Sequence, residues 1–472
     1  MKYPVRRLSS ARMVALAIIL LASVAASIAV SVQVLSAEIA AYDVFSSNQG
    51  TAVALGSEVI YLNSSRLLVI KFKDGNVRVF SAVVSSSGSE IFLAGSYGKH
   101  PLLGVIRLDE EVRLAVYVAD LINGSFFKLR IIDECLYCAG YVFTGQVYRG
   151  LIVVLNESDL VGNKSIISTV ASVISCKSSC YIRDITELPS NEVMALGAYY
   201  SLALYPKYQL MLLVLDRELS TCRGYVVESE NSLVPKGVFA VGGNGIVCVA
   251  VSENAVCYIE LSPASISGEG RAKINIFSLK NSLLSIMAVG SNSSIYILAR
   301  TSGSQYILGI SPSSPAVELT EVENTNPVAV LLRNGEPILL TSNLSGYRIE
   351  SISGITRIVT PTDTEYSKLN EVQVEIKVKE VILKRVENGE VIARAISVAP
   401  TAVEGSRQGG ESPTLPALTE PTRSSGASVS AGEEFRKDVG ATAWSNNYIL
   451  ALSLALISAY LVLRSKLSRA RT

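Results

Sequence analysis

The chain has 472 residues, of which 49% are hydrophobic and 18% charged, and its net charge is +1. So balanced a charge excludes a nucleic-acid partner held by bulk electrostatics, and a single histidine, His100, excludes histidine-rich metal sites. Seven cysteines is an odd number, so at least one thiol is free or paired with another chain.

Lys2, Arg6, Arg7 and Arg12 precede an uncharged apolar run, Met13–Leu35. A basic flank of this kind stays in the cytoplasm and directs the downstream chain outward. Residues 1–37 are expected to be a signal peptide, with Met13–Leu21 as apolar core and Ala22–Ser27 as cleavage region. The alternative is an uncleaved anchor that uses all of Met13–Leu35 to cross a hydrocarbon core of about 30 Å.

A repeating unit comes next, seen clearly in Ser89–Asp120: short runs rich in Val, Ile, Leu and Tyr, broken by Gly, Ser, Asn and Asp. Such runs read as strands. Related stretches start at Thr51, Ser89, Leu136, Glu192, Gly245, Ser294 and Glu336, 38 to 56 residues apart. One small sheet cannot bury both its faces alone, so the copies are expected to stack. The expected fold is all-β: over residues 38–370, a β-propeller of about seven four-stranded blades, with six blades or tandem β-sandwiches as alternatives. In the seventh copy, Pro327–Arg333, Pro337–Ser342, Gly346–Ile352 and Ile355–Thr360 read as four strands, the first two joined by Asn334-Gly335. Val77–Val84 fits equally as the last strand of the first blade or the first of the second. The small residues Gly95, Gly140 and Gly197 are expected to let blades approach closely near a central channel.

Cys248 and Cys257 flank the turn at Ser252-Glu253 symmetrically, which makes them a candidate cross-strand disulfide. Cys135 and Cys138, with Cys176 and Cys180, form a CxxC and a CxxxC; disulfides are the expectation outside the cytoplasm and a four-thiolate zinc site the alternative. Cys222 is left as the odd thiol. Sequons at Asn63, Asn123, Asn156, Asn163, Asn292 and Asn343 are candidate glycosylation sites. Acids gather after the third strands, at Asp74, Asp109–Glu111, Glu157, Asp159, Asp216 and Glu218. They read first as turn residues, and alternatively as a Ca²⁺ ring or paired carboxylates. His100 stands alone in a loop, and neither a nucleophile elbow nor a phosphate loop is present, so no catalytic, cofactor or metal site is expected.

Residues 371–399 alternate apolar with charged around a turn at Asn388-Gly389, and are expected to form a hairpin that closes the ring against Ala37–Phe45 or supports it from beneath. Residues 400–446, rich in Pro, Gly, Ser, Thr and Glu, lack any strand or helix period and read as a disordered stalk. Residues 447–463, bordered by Trp444 and Tyr448, are expected to be a transmembrane helix, with residues 464–472 as a basic cytoplasmic tail.

By its repeats, anchor and stalk the chain resembles prokaryotic membrane-anchored β-propeller surface proteins, and its Tyr-rich, His-poor composition looks archaeal. It lacks the Trp-Asp pair of Trp-Asp repeats, the glycine doublets of kelch blades, the Asp-box of sialidases and the blade tryptophans of quinoprotein dehydrogenases. The reading favoured is a non-catalytic extracytoplasmic module at the cell membrane that binds a protein or polysaccharide. A glycan-processing hydrolase or lyase using loop carboxylates such as Asp109 or Asp216, and an accessory subunit of a membrane complex, are the alternatives.

Overall fold

The computed structural model describes residues 41–397, apart from short stretches at 65, 110–111, 122, 163, 202–206, 243–244, 263–270, 280, 292, 312–316, 324–325, 334, 344–345 and 387–389. The expected signal peptide or anchor, stalk, transmembrane helix and tail therefore lie outside the described residues, as do Asn163, Asn292, Glu110, Glu111 and the Asn388-Gly389 turn. Among the described residues no helix is long and apolar enough to cross a membrane.

The all-β expectation holds: the described residues form 31 strands, with almost no helix. They form antiparallel meanders in chain order. The first holds β1 (Asp43–Ser47), β2 (Gly50–Ala54), β3 (Glu58–Leu62) and β4 (Arg66–Phe72). The second holds β5 (Val77–Val84), β6 (Glu90–Tyr97), β7 (His100–Leu108) and β8 (Val112–Ala119). The third holds β9 (Gly124–Ile132), β10 (Cys135–Thr144), β11 (Val147–Asn156) and β12 (Ile166–Ser175), with a short helix α1 (Glu157–Val161) between the last two. The fourth holds β13 (Cys180–Glu187), β14 (Val193–Ser201), β15 (Lys207–Leu215) and β16 (Cys222–Val227). The fifth holds β17 (Val234–Val241), β18 (Gly245–Ser252), β19 (Ala255–Leu261) and β20 (Arg271–Ser278). The sixth holds β21 (Leu283–Gly290), β22 (Ile295–Thr301), β23 (Gln305–Ile310) and β24 (Val317–Val322). The seventh has three strands, β25 (Pro327–Arg333), β26 (Glu336–Asn343) and β27 (Gly346–Ser351).

The first strand of each meander touches the first strand of the next, and β25 returns to β1. The Ala41 amide donates to the Val328 carbonyl at 3.1 Å across that closure. Because strands alternate in direction, turns after first and third strands share one face, here the lower, and those after second and fourth strands share the upper. Separate apolar clusters fill the spaces between neighbouring meanders. Leu196, Leu212 and Ile259 belong to the one between the fourth and fifth, and Phe92, Phe126 and Leu151 to the one between the second and third. Inner strands are thus buried on both faces, which is why stretches such as Leu210–Leu215 are continuously apolar rather than alternating.

Four further strands, β28 (Gly354–Val359), β29 (Asp363–Val372), β30 (Glu375–Val386) and β31 (Val391–Ser397), pair with the outermost strands of the meanders in reverse order. β28 joins β24. β29 runs along β20 and then β16, and β30 along β12 and then β8. β31 finishes on β4. These pairings weld the second and third meanders into one nine-stranded sheet and the fourth and fifth into another. In each, the end strands (β5 with β9, β13 with β17) touch, so each sheet nearly closes on itself like a barrel.

The fourth strand expected in the seventh copy therefore crosses to the sixth meander. Gly354 permits the crossing: at φ +153° it lies so close to β24 that a Cβ would meet the Glu321 carbonyl oxygen at 2.0 Å. Nor do residues 371–399 form a hairpin, because β30 and β31 each pair with the ring and not with one another. Val77–Val84 is the first strand of the second meander.

Leu383 on β30 is fully buried, whereas Lys379 is exposed. Leu383→Ala is expected to lower stability by about 2–5 kcal/mol in urea unfolding, and Lys379→Ala to change it by under about 0.5 kcal/mol. Equal effects would mean that this strap is not docked.

Candidate functional site on the upper face

Six of the seven first strands carry an irregularity at the same height. The ladder skips Phe80, Phe127, Arg183, Lys236, Leu284 and Val328 in turn. Such bulges re-aim the extra side chain. The second strand answers with glycine in meanders two to four: a Cβ at Gly140 would lie 1.9 Å from the Ser125 carbonyl oxygen, and one at Gly197 would lie 2.2 Å from that of Tyr181. These glycines, with Gly95, accommodate a bulge inside their own meander. That differs from the expected close approach between neighbours.

The bulged side chains meet in sequence around the upper face. Tyr42 packs edge-on to Phe80 with ring centres 5.0 Å apart, Phe80 lies 6.1 Å from Phe127, and the Arg183 guanidinium stands over the Phe127 ring at 5.3 Å. Lys236 comes next. Burial first, and then the charge of Arg183, bring its pKa down to about 8. Among the described residues neither Arg183 nor Lys236 has an acidic partner.

One residue further along the strands lies a buried ionic layer. Lys128 pairs with Asp43, whose other oxygen accepts from Ser81 Oγ at 2.5 Å. Asp184 lies 3.9 Å from Lys128 and 3.8 Å from Arg130, and accepts the Ile185 and Val238 amides at 2.8 and 2.9 Å. Both carboxylates are thereby occupied, and five successive first strands are tied together. Removing one partner of a buried pair leaves an uncompensated charge, at a cost of about 3–5 kcal/mol.

Phe127 also opens onto a cleft of about 450 Å³ lined by Tyr141, Tyr148, Tyr181, Tyr200 and Tyr208. These residues sit where β10 ends, β11 begins, β13 begins, β14 ends and β15 begins, so two meanders bring their upper ends together. Tyr141 packs 5.3 Å from Tyr148, and Tyr200 lies 5.3 Å from Tyr208. Burial pushes the Tyr181 hydroxyl up to about 12, so it remains a neutral donor. Tyr148 and Tyr208 are 47% and 40% exposed, so ring surface is left open to a ligand.

A larger hollow of about 970 Å³ lies on the lower face among Ser46, Gln49, Asn63 and Arg333. Its walls are turns whose polar groups largely serve one another, as in Ser47 Oγ to the Gly50 carbonyl at 3.2 Å and Thr51 Oγ1 to Ser46 Oγ at 3.2 Å. We place the candidate site in the cleft, where ordered rings meet unpaired charge.

The sequence-level candidates fall elsewhere. Asp109, Asp216 and Glu218 follow third strands on the lower face, where Glu157 and Asp159 lie in α1, whereas Asp74 follows the fourth strand β4 on the upper face. Burial alone would raise Asp216, but donors from Ser220 and Thr221 outweigh it and hold the carboxyl below the ordinary range. Asp74 is held low by the Asn76 amide. Among the described residues no group of three His, Cys, Asp or Glu side chains is placed to hold a metal ion. His100 Nδ1 lies 2.9 Å from the Leu121 carbonyl oxygen at the start of β7. Asn123, Asn156 and Asn343 are exposed and Asn63 half-buried.

All seven cysteines are free thiols. The β18–β19 hairpin turns one residue later than the sequence symmetry implies, so Cys248 faces Ile259, and Cys257 faces Ala250. Cys135 and Cys138 sit three apart on β10 and so face opposite sides of the strand. Cys138 enters one core cluster, and Cys135 packs against another. Cys176 and Cys180 share that second core, where their mutual hydrogen bond and burial keep Cys176 protonated.

No family model matches the chain, and no curated protein matches it. Solved structures that overlap it loosely include two of known source organism. One is a functionally unknown protein from Desulfotomaculum acetoxidans, 12% identical, covering 67% of this chain and 98% of its own, with a TM-score of 0.34. The other is the extracellular domain of a putative hybrid two-component system from B. thetaiotaomicron, 9% identical, covering 76% and 81%, with a TM-score of 0.19. Overlaps this loose carry no argument about function.

A thiol assay in denaturant without reductant is expected to count all seven cysteines; a shortfall of two or more would mean disulfides. Lys236→Met is expected to raise the melting temperature near pH 7. The unfolded lysine holds its proton up to its ordinary value of 10.5, while the folded one releases it near about 8. Wild-type stability therefore gains on the variant across that window, and thermal melts from pH 7 to 10 should show the gap narrowing.

Proposed function

We propose that the ring of meanders is a seven-bladed β-propeller held outside the cell by a membrane anchor. In this reading it acts as a non-catalytic binding or scaffold module for a protein or polysaccharide partner. The observation that carries the reading is the tyrosine cleft: a concave aromatic surface at the junction of two meanders, with Arg183 standing over its Phe127 wall and Lys236 near Arg183. Aromatic rings with one apolar face and one polar tip are what recognition surfaces use. The acids Asp109 and Asp216 belong to turns on the opposite face, which leaves the cleft without a carboxylate pair of the glycosidase kind among the described residues. The seven first-strand contacts around the ring support the blade count. The basic, apolar and Pro-rich terminal segments support the anchor and the stalk.

Full-length protein in detergent, used as bait on an envelope fraction, is expected to retain one major protein or glycan. Tyr148→Ala with Tyr208→Ala should cut recovery at least tenfold with an unchanged melting temperature. Turnover of a sugar or peptide substrate by the purified chain would overturn the reading.

A further inference from the structure

Two unpaired, partly buried cations beside an aromatic wall form an arrangement that folding alone does not explain. Desolvating a positive charge without an acid nearby opposes folding. Here two such charges are neighbours, and each occupies a bulge that turns its side chain out of the regular ladder. The ordinary remedy, a carboxylate on an adjacent strand, is present only in the layer below. There Asp43 and Asp184 are taken by Lys128, Arg130, Ser81 and two backbone amides. Arg183 thus stands over Phe127, a wall of the cleft, and Lys236 is close enough to Arg183 to feel its charge. With a net charge of only +1, the chain carries no general excess of cations that would make such a pair incidental.

We infer that the cleft takes an anionic polysaccharide, its sugar rings lying on the tyrosines and an acidic group reaching Arg183 and Lys236. The inference rests on the binding-module reading and names its ligand class. The C–H face of a pyranose is apolar and flat, and it suits a ring such as Tyr148 or Tyr208, while the phenol hydroxyl reaches the sugar hydroxyls. The guanidinium of Arg183, already fixed by its stacking on Phe127, presents a planar fork that matches a carboxylate or sulfate in two parallel hydrogen bonds. Lys236 supplies a point charge beside it. A partly desolvated setting strengthens both attractions relative to water. A cleft of about 450 Å³ holds a few sugar units, so a polymer would lie across it with its ends free.

Calorimetric titration of the full-length protein in detergent would use polygalacturonate as carboxylated probe, heparin as sulfated probe and dextran as neutral probe. Binding of at least one anionic polymer is expected, with dextran at least tenfold weaker. Arg183→Ala with Lys236→Gln should weaken it at least tenfold, Lys236→Arg should retain it, and Lys379→Ala, far from the cleft on the outer strap, should leave it unchanged; thermal melts confirm that each variant is folded. Preference between polygalacturonate and heparin assigns the acidic group as carboxylate or sulfate. Dextran binding equal to the anionic polymers, or anionic binding indifferent to Arg183 and Lys236, overturns the inference. If no polysaccharide binds but a protein from the envelope fraction is retained through Tyr148 and Tyr208, the inference fails and the binding-module reading stands. If nothing is retained in either experiment, both fail.

Discussion

Backbone hydrogen bonding at the outer edge is the constraint on which the architecture depends. A ring of separate meanders presents one bare ladder per meander to solvent, and such edges invite pairing with other chains. In this protein β28–β31 occupy the outer strands of six meanders with residues drawn from a single late segment. The Asp120 amide donates to the Ile382 carbonyl at 3.0 Å, while the Asp120 carboxylate accepts the Ile382 amide at 3.2 Å, carrying the ladder past the end of β8. Two pairs of meanders are thereby joined at the rim as well as packed through their cores. The one outer strand without such a partner among the described residues is β27.

The inner side of the ring solves a different problem. First strands converge, and a regular ladder would point like side chains at one another. A one-residue bulge in each of six strands sorts the side chains into two tiers. The lower tier is a closed ionic layer, with every carboxylate oxygen of Asp43 and Asp184 partnered. From Phe80 to Lys236 the upper tier is aromatic and cationic. The closed ionic layer and the aromatic, cationic layer are thus separated by a single step along the same strands.

The sequence showed the repeat because strands buried on both faces leave apolar runs that no turn residue interrupts. The starts at Thr51, Ser89, Leu136, Glu192, Gly245, Ser294 and Glu336 all fall at second strands or within a residue or two of them. First strands were harder to place because the bulge breaks their period: Arg183 and Lys236 interrupt otherwise apolar segments, and Val77–Val84 fits two assignments. The alternation holds from Val372 to Ile376, half-buried against exposed, but Val378, expected on the buried face, is 58% exposed. Nothing local states that its partners lie on β12 and β16. For Cys248 and Cys257, an error of one residue in the turn centre moved the pairing by two, which is how strictly strand register follows turn geometry. The tyrosine cleft was visible only as composition, 21 Tyr against 10 Phe. Its assembly from five strand ends and the meeting of Arg183 with Lys236 are properties of the closed ring.

The reverse order of the outer strap bears on how the chain reaches its native state. Synthesis proceeds from the first meander to the seventh, yet rim closure begins at the sixth and ends at the first. Lys73 meets Glu390 at 2.7 Å across 317 residues of chain. Contacts so distant in sequence slow folding, since the entropy of loop closure comes before any return. A nascent chain that has not yet emerged past Gly354 carries six meanders with uncapped rims at β4, β8, β12, β16, β20 and β24. Until the last strands arrive, those bare edges are templates for pairing with any other chain, so the late segment also closes off a route to association.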